Sequence, residues 1–286
     1  MIRFSSTYAA CNTRVPSVAS SRPFAIRRVP GFTTIAIICF ALLYMPLAPL
    51  VVYSFNAGTS IALWEGFSSR WYEAAWQNDL VQEATIRSFV IATLASLFST
   101  ILATMAALGT TRTQPFPGQT AIYAMINQPL MVPEVVTAVA LLIFFAIIKT
   151  ATDYYGLAYL VGAHTAFCIP FAYLPIRARL EGMDLTLETA AADLYATPWN
   201  TFRRITLPLL LPGVLAGAML AFVISLDDVI ITEFVKAAGQ DTLPTYMLGQ
   251  LRRQMTPEVN AISTALLAIS VVLVTIVFLL SRNRAK

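Results

Sequence analysis

Two adjacent acids, Asp227 and Asp228, stand inside one of the most apolar stretches of a 286-residue chain. A carboxylate near the middle of a lipid-spanning helix costs about 2.5–3.5 kcal/mol, so it has to pair, cap or attract a cation. Asp227 lies fifteen residues beyond Pro212. That is about 22 Å of helical rise, which puts the pair towards the far end of a ~30 Å hydrocarbon layer. Asp228 shares a helical stripe with Ser225 and Thr232, at i−3 and i+4, whereas Asp227 has Val223, Ile224 and Ile231 around it. Two roles are open. Ser225, Asp227, Asp228 and Thr232 line a pathway for a cationic solute, or the acids pair with a partner or cap a broken helix. The single histidine, His164, also falls in an apolar segment, where it handles a proton or packs as a hydrogen-bonded residue. Glu134, after Pro133, has the placement of a local cap or ion-pair partner, and Glu233 that of a solvated residue at an outer mouth.

The same inventory excludes several chemistries. No His-Glu-x-x-His pair and no Gly-x-Ser-Gly elbow accompany His164, so neither a metalloprotease nor a serine protease centre can be assembled. Cys11, Cys39 and Cys168 are scattered, which argues against a metal cluster or a disulfide framework. No Gly-x-x-x-x-Gly-Lys-Ser/Thr phosphate loop occurs, so any nucleotide chemistry belongs to another chain.

A second candidate is the polar stretch 187–212, Leu187 to Pro212. Its start predicts a short helix over 185–196, capped by Asp184 or Thr186 and ended by Thr197-Pro198. On that helix Leu187, Ala191 and Leu194 share a face, and Ala190, Ala191 and Ala192 keep it slim enough for a partner backbone to approach. Trp199 to Ile205 forms a second amphipathic piece carrying Arg203 and Arg204, and Leu207-Pro208 turns the chain back towards the apolar region. The stretch reads either as a solvated loop with a surface helix or as a docking helix for another protein.

The elements that position these residues follow from composition. The chain is 57% hydrophobic and 12% charged, against about a quarter charged in soluble domains. Lipid is the natural replacement for the missing polar surface. Six segments, 33–54, 88–108, 129–148, 157–176, 212–235 and 259–281, are long and apolar enough to span as helices, giving an all-α membrane protein. Pro46, Pro49, Pro129, Pro133, Pro170 and Pro175 interrupt them and predict kinks. The intervening loops set the orientation. Thirteen of the nineteen basic residues fall on the side of the termini, including Arg3, Arg14, Arg22, Arg27 and Arg28, so the rule of positive cytoplasmic loops puts both termini in the cytoplasm. The other side carries an acidic first loop with Trp64, Trp71 and Trp76, suited to an interfacial ledge. Arg27-Arg28 fits a twin-Arg export signal poorly, and the segment that follows is long enough to remain an anchor. Gly213 and Gly217 have the spacing that lets helices approach closely. Arg252-Arg253 on the outer side reads as a solvated basic pair or a contact for a delivery protein. No internal repeat stands out, which weakens a carrier built from inverted halves.

The stretch after Leu187 resembles the EAA loop of ABC-importer permeases: Glu-Ala-Ala, three residues, Gly, nine residues, then Ile-x-Leu-Pro. Ala190-Ala191 match the alanines, and nine residues separate Tyr195 from Ile205-Thr206-Leu207-Pro208. Thr189 stands where the pattern has Glu and Tyr195 where it has Gly. Glu188, one residue earlier, offers a carboxylate from a face about 100° away, and Tyr195 favours continued helix over a sharp bend. Ser225-Leu226-Asp227-Asp228-Val229 and Pro257-Glu258-Val259-Asn260-Ala261 resemble stretches of the second permease subunit of spermidine/putrescine importers.

The resemblance implies a type I ABC-importer (MetI-like) permease fold of six transmembrane helices over 33–281. A cytoplasmic coupling loop would cover 184–212, with cytoplasmic tails at 1–32, expected to be disordered, and 282–286. It also implies a transport subunit rather than an enzyme. The implied partners are a second homologous permease, an ABC ATPase dimer, a periplasmic substrate-binding protein and membrane lipid, with no nucleic acid. This chain would bind no cofactor, and ATP and Mg would be handled by the ATPase. Leu187, Glu188, Thr189, Ala190, Ala191, Asp193, Leu194, Tyr195, Ile205, Leu207 and Pro208 would dock on that ATPase in the bacterial inner membrane. A polyamine is the expected solute. Other amines, opines, amino acid derivatives or ferric ion are the alternatives within the family, and a secondary carrier is the alternative outside it.

Overall fold

In the computed structural model, residues 31–60, 63–114, 116–153, 156–253 and 256–284 are described, and the expected N-terminal tail over 1–30 lies outside them. The chain divides into two units, Met1–Ala48 and Pro49–Lys286. The first contributes α1 (Phe32–Tyr44), which shows large apolar side chains such as Ile35, Phe40 and Leu43 around its circumference. A helix apolar on every side belongs in lipid or a buried core. Pro46 separates it from α2 (Leu47–Tyr53).

The remaining elements are α3 (Arg70–Gln77), α4 (Asp79–Thr111), α5 (Gln119–Met131), α6 (Glu134–Thr152), α7 (Leu157–Glu181), α8 (Thr186–Asp193), α9 (Pro198–Thr201), a π-helical turn (Phe202–Thr206), α10 (Leu207–Asp227), α11 (Ile230–Val235), α12 (Leu243–Arg253) and α13 (Pro257–Arg284). No strand occurs among the described residues.

The core of the second unit is the trio α4, α7 and α10. The face α4 turns inward is built mostly of small residues: Ala84, Ser88, Ala92, Ala95, Ser96, Ser99, Ala103 and Ala107 are buried beside Val81, Ile91 and Thr100. Leu97, Phe98, Ile101, Leu102 and Met105 of the same helix point outward. This inverts the soluble pattern for a physical reason. Lipid tails solvate Leu as well as a neighbouring helix does, so association relies on close backbone approach and cross-helix hydrogen bonds. Ser96 Oγ donates to the Ala218 carbonyl at 2.6 Å, and Thr110 Oγ1 lies 2.9 Å from Tyr173 Oη. Gly213 and Gly217 serve the same end: a Cβ at Gly217 would sit 2.7 Å from the Ala172 carbonyl oxygen of α7, and one at Gly213 2.6 Å from Arg179 Cβ.

The span expectations need correction at two breaks. The third segment, 129–148, is not one helix. Pro129 lies inside α5, and Val132, extended ahead of Pro133, separates α5 from α6, as the clash between a proline ring and the preceding residue dictates. The fifth, 212–235, stops at Asp227 and restarts at Ile230. Elsewhere helices outrun expectation, and α7 continues through Pro170 and Pro175 to Glu181. Among the described residues four helices are long and apolar enough to cross a membrane, or five with the pair around Pro46. The last helix, α13, runs from Pro257 to Arg284, and Pro257–Val272 within it is an apolar helix.

Candidate functional site

The chain leaves the α7 end of the core at Gly182 and returns at α10, and the loop between them is tightly built. Asp184 Oδ1 accepts the Thr186 N–H at 2.9 Å and so satisfies a free donor at the start of α8. At the other end, the Ala196 N–H reaches the Ala191 carbonyl and the Tyr195 N–H the Ala192 carbonyl, the paired bonds of a helix end that closes through a left-handed residue. That residue is Tyr195, with φ 57°. The expectation of continued helix there was wrong. The helix ends, the chain bends, and Tyr195 takes the conformation for which the permease pattern carries Gly. Thr197 Oγ1 then accepts the Asn200 N–H, Pro198 opens α9, and the π-helical turn leads into α10.

The faces of α8 also differ from expectation. Ala191 is buried against its own chain, so it does not share an outward face with Leu187 and Leu194. The outward apolar set is Leu187, Leu194, Tyr195 and Trp199, with Tyr195 96% and Leu194 82% exposed. Thr189, Ala190, Asp193 and Pro208 are also exposed, and Ile205 and Leu207 are half-buried. Glu188 points inward. Its Oε1 accepts from Thr206 Oγ1 at 2.9 Å and lies 3.5 Å from Arg112 Nη2.

The second site lies at the break between α10 and α11. Asp228 is buried and closes the start of α11: Oδ1 accepts the Ile231 N–H at 3.2 Å, and Oδ2 accepts both the N–H and Oγ1 of Thr232, at 2.9 and 3.0 Å. His164 of α7 faces the same point. Its Nδ1 lies 2.8 Å from Ser225 Oγ, its Nε2 2.9 Å from Thr232 Oγ1 and 3.5 Å from Asp228 Oδ2. Glu134, at the start of α6, also faces Asp228. Ser225, Asp228 and Thr232 therefore converge as the stripe predicted, but across a helix break rather than along a continuous turn. Asp227 stays apart and is exposed at the end of α10. His164 is the member that spacing did not place in the group. Its lone position in an apolar segment was the available signal, and pairing between helices leaves no periodicity.

A third polar region lies beyond this break. Lys236 Nζ donates to Glu233 and, at 2.7 Å, to Asp241, while Arg87 Nη1 donates to the Asp241 carbonyl at 2.8 Å. Partial burial alone would lower the Lys236 ammonium, but hydrogen bonds and charge from Asp241 and Glu233 outweigh it and hold it above the ordinary lysine value. Glu233, expected to be a solvated residue, is thus paired. With Arg252 and Arg253 these groups line a cleft of ≈ 590 Å³.

The sequence pattern described as "Binding-protein-dependent transport system inner membrane component" matches residues 99–285. The chain belongs to this family. It is therefore a permease subunit of an ABC importer and a membrane component. It is 37% identical over 84% of its length to the putrescine transport system permease protein PotI of Escherichia coli K12, covering 86% of that protein. It is 36% identical over 86% of its length to the spermidine/putrescine transport system permease protein PotC of Haemophilus influenzae, covering 94% of it. The fold is similar to a chain in the crystal structure of a bacterial ABC transporter that imports the acidic polysaccharide alginate, with TM-score 0.67 and 17% identity over 89% of this chain and 94% of that one. The match to a polysaccharide importer carries the fold and nothing about the solute.

Proposed function

We propose that this chain is one of two permeases in an importer of putrescine or spermidine, working with a second homologous permease, an ABC ATPase dimer and a periplasmic binding protein. The observation that carries the solute is the likeness to polyamine permeases over more than four-fifths of the chain. Both termini lie in the cytoplasm, in keeping with the basic residues on that side. The chain binds no cofactor, and ATP and Mg are consumed by the ATPase. The loop over 184–212 docks there, with Leu187, Leu194, Tyr195 and Trp199 as its contact face and Thr189, Ala190, Asp193, Ile205, Leu207 and Pro208 beside it. Exposed apolar side chains in a water-facing loop support this. Ala191 contributes by packing the loop. ATP-driven closure of the ATPases then shifts the paired permeases between two openings, a two-state change biased by a ligand.

Along the solute path the acids divide the work. Asp227 is exposed at the carboxyl end of α10, where the helix dipole adds partial negative charge, so it attracts an ammonium group. Ser225, Asp228 and Thr232 shape the bend that presents it. The test is uptake of labelled putrescine with ATP hydrolysis followed alongside. Asp227→Asn should lower uptake about tenfold, the scale of a coupling of 1–3 kcal/mol, with the protein still fully folded. Unchanged uptake removes Asp227 from the path, and a cognate binding protein that holds no polyamine rejects the solute.

A further inference from the structure

The cytosolic loop is tied back to its own chain through Glu188. This residue lies in the first turn of α8, and its carboxylate joins two other elements. Thr206, which donates to Oε1, is buried at the end of the π-helical turn, where α10 begins. Arg112, paired with the same oxygen, is the C-cap of α4. Both side chains of the ion pair are about one-fifth exposed, 20% for Arg112 and 22% for Glu188. Arg112 Nε and Nη2 make no hydrogen bond among the described residues, so the pair with Glu188 is what offsets its charge.

Covalent connections alone would hold α8 loosely. It is entered through Gly182–Leu185 and left through the left-handed Tyr195. The π-helical turn is a further irregular point, because such turns displace the regular backbone ladder and recur at functional sites. A partly buried ion pair with an added hydrogen bond supplies stiffness that those connections lack, and it does so between α8 and two of the three core helices.

We propose that Glu188 is a positioning residue: with Arg112 and Thr206 it braces the docking helix to α4 and α10, so that ATPase movement reaches the spanning helices instead of swivelling the loop. Glu188 makes no contact with the ATPase. The brace rests on the reading that this loop docks on an ATPase, and its test separates the two. In the assembled transporter, Glu188→Gln keeps shape and loses charge. ATPase co-purification and ATP hydrolysis should persist, while putrescine imported per ATP hydrolysed falls about tenfold. Arg112→Gln should do the same, the double variant should be no worse than either single one, and Glu188→Arg with Arg112→Glu should recover part of the uptake. Thr206→Val, which removes the hydrogen bond and leaves both charges, should shift the same ratio in the same direction by less, and it serves if the charge variants fail to fold. Loss of the ATPase from Glu188→Gln, or an unchanged ratio of import to hydrolysis, overturns the brace. Absence of any ATPase from the wild-type preparation removes the docking reading and the brace with it.

Discussion

The break at Asp228 and the loop around Tyr195 are both irregular backbone, yet they treat their surroundings in opposite ways. At the break, every polar group of the buried cluster turns inward: His164 bridges Ser225 and Thr232, and Asp228 caps α11. In the loop, the charge of Glu188 turns inward while Leu194, Tyr195 and Trp199 stand out. A residue that suits its solvent needs no further role. One that mismatches it, such as Asp227 among apolar neighbours or Tyr195 on a polar loop, is where a partner or solute is expected. By that criterion Asp228 and Glu188, both satisfied within the chain, are structural parts of the machinery.

The sharpest break of this comparison is at the exposed side. Leu194→Arg combined with Trp199→Ala should weaken ATPase association about 100-fold, as loss of central apolar anchors does, with helix content and thermal stability unchanged. Retained association, measured by co-purification, would move the docking face elsewhere. Ala191→Arg is a poorer probe, since Ala191 is buried and an arginine there disrupts the loop itself.

On the buried side, His164→Ala strands Ser225 Oγ and loses the ring from a closed site. A cost of about 2–3 kcal/mol follows from an unsatisfied polar group plus a cavity. The thermal midpoint in detergent should fall accordingly. No change there means that the cluster is not what holds α7 to the break.

How much of this was legible in the sequence depends on the range of the interaction. Missing surface charge and long apolar runs revealed an all-α membrane fold, and the Ala190-Ala191 to Leu207-Pro208 spacing located the loop. The stripe of Ser225, Asp228 and Thr232 was also readable, because it is local. The partners of His164 and Arg112 were not, since each acts on residues dozens of positions away and helical spacing carries no trace of the partner helix. The break at Asp228 stood as one of two open roles, because a carboxylate that caps α11 looks, in sequence, like one facing a pore. Tyr195 failed differently. Its side chain argued for helix, and the cost of a left-handed tyrosine, about 1–2 kcal/mol, is outweighed by closing the helix end. The smallest effect follows from this. Tyr195→Gly should raise stability by about 1 kcal/mol while slightly weakening ATPase association, and a fall in the thermal midpoint would contradict the strain.

The most direct test of the account is ATP-dependent uptake of putrescine into proteoliposomes holding this permease, its partner permease, the ATPase and the binding protein. Uptake should require both ATP and the binding protein and should be lost with the Leu194→Arg and Trp199→Ala pair. Putrescine uptake that persists without the ATPase subunit would contradict the central claim that this loop turns ATP hydrolysis elsewhere into movement here.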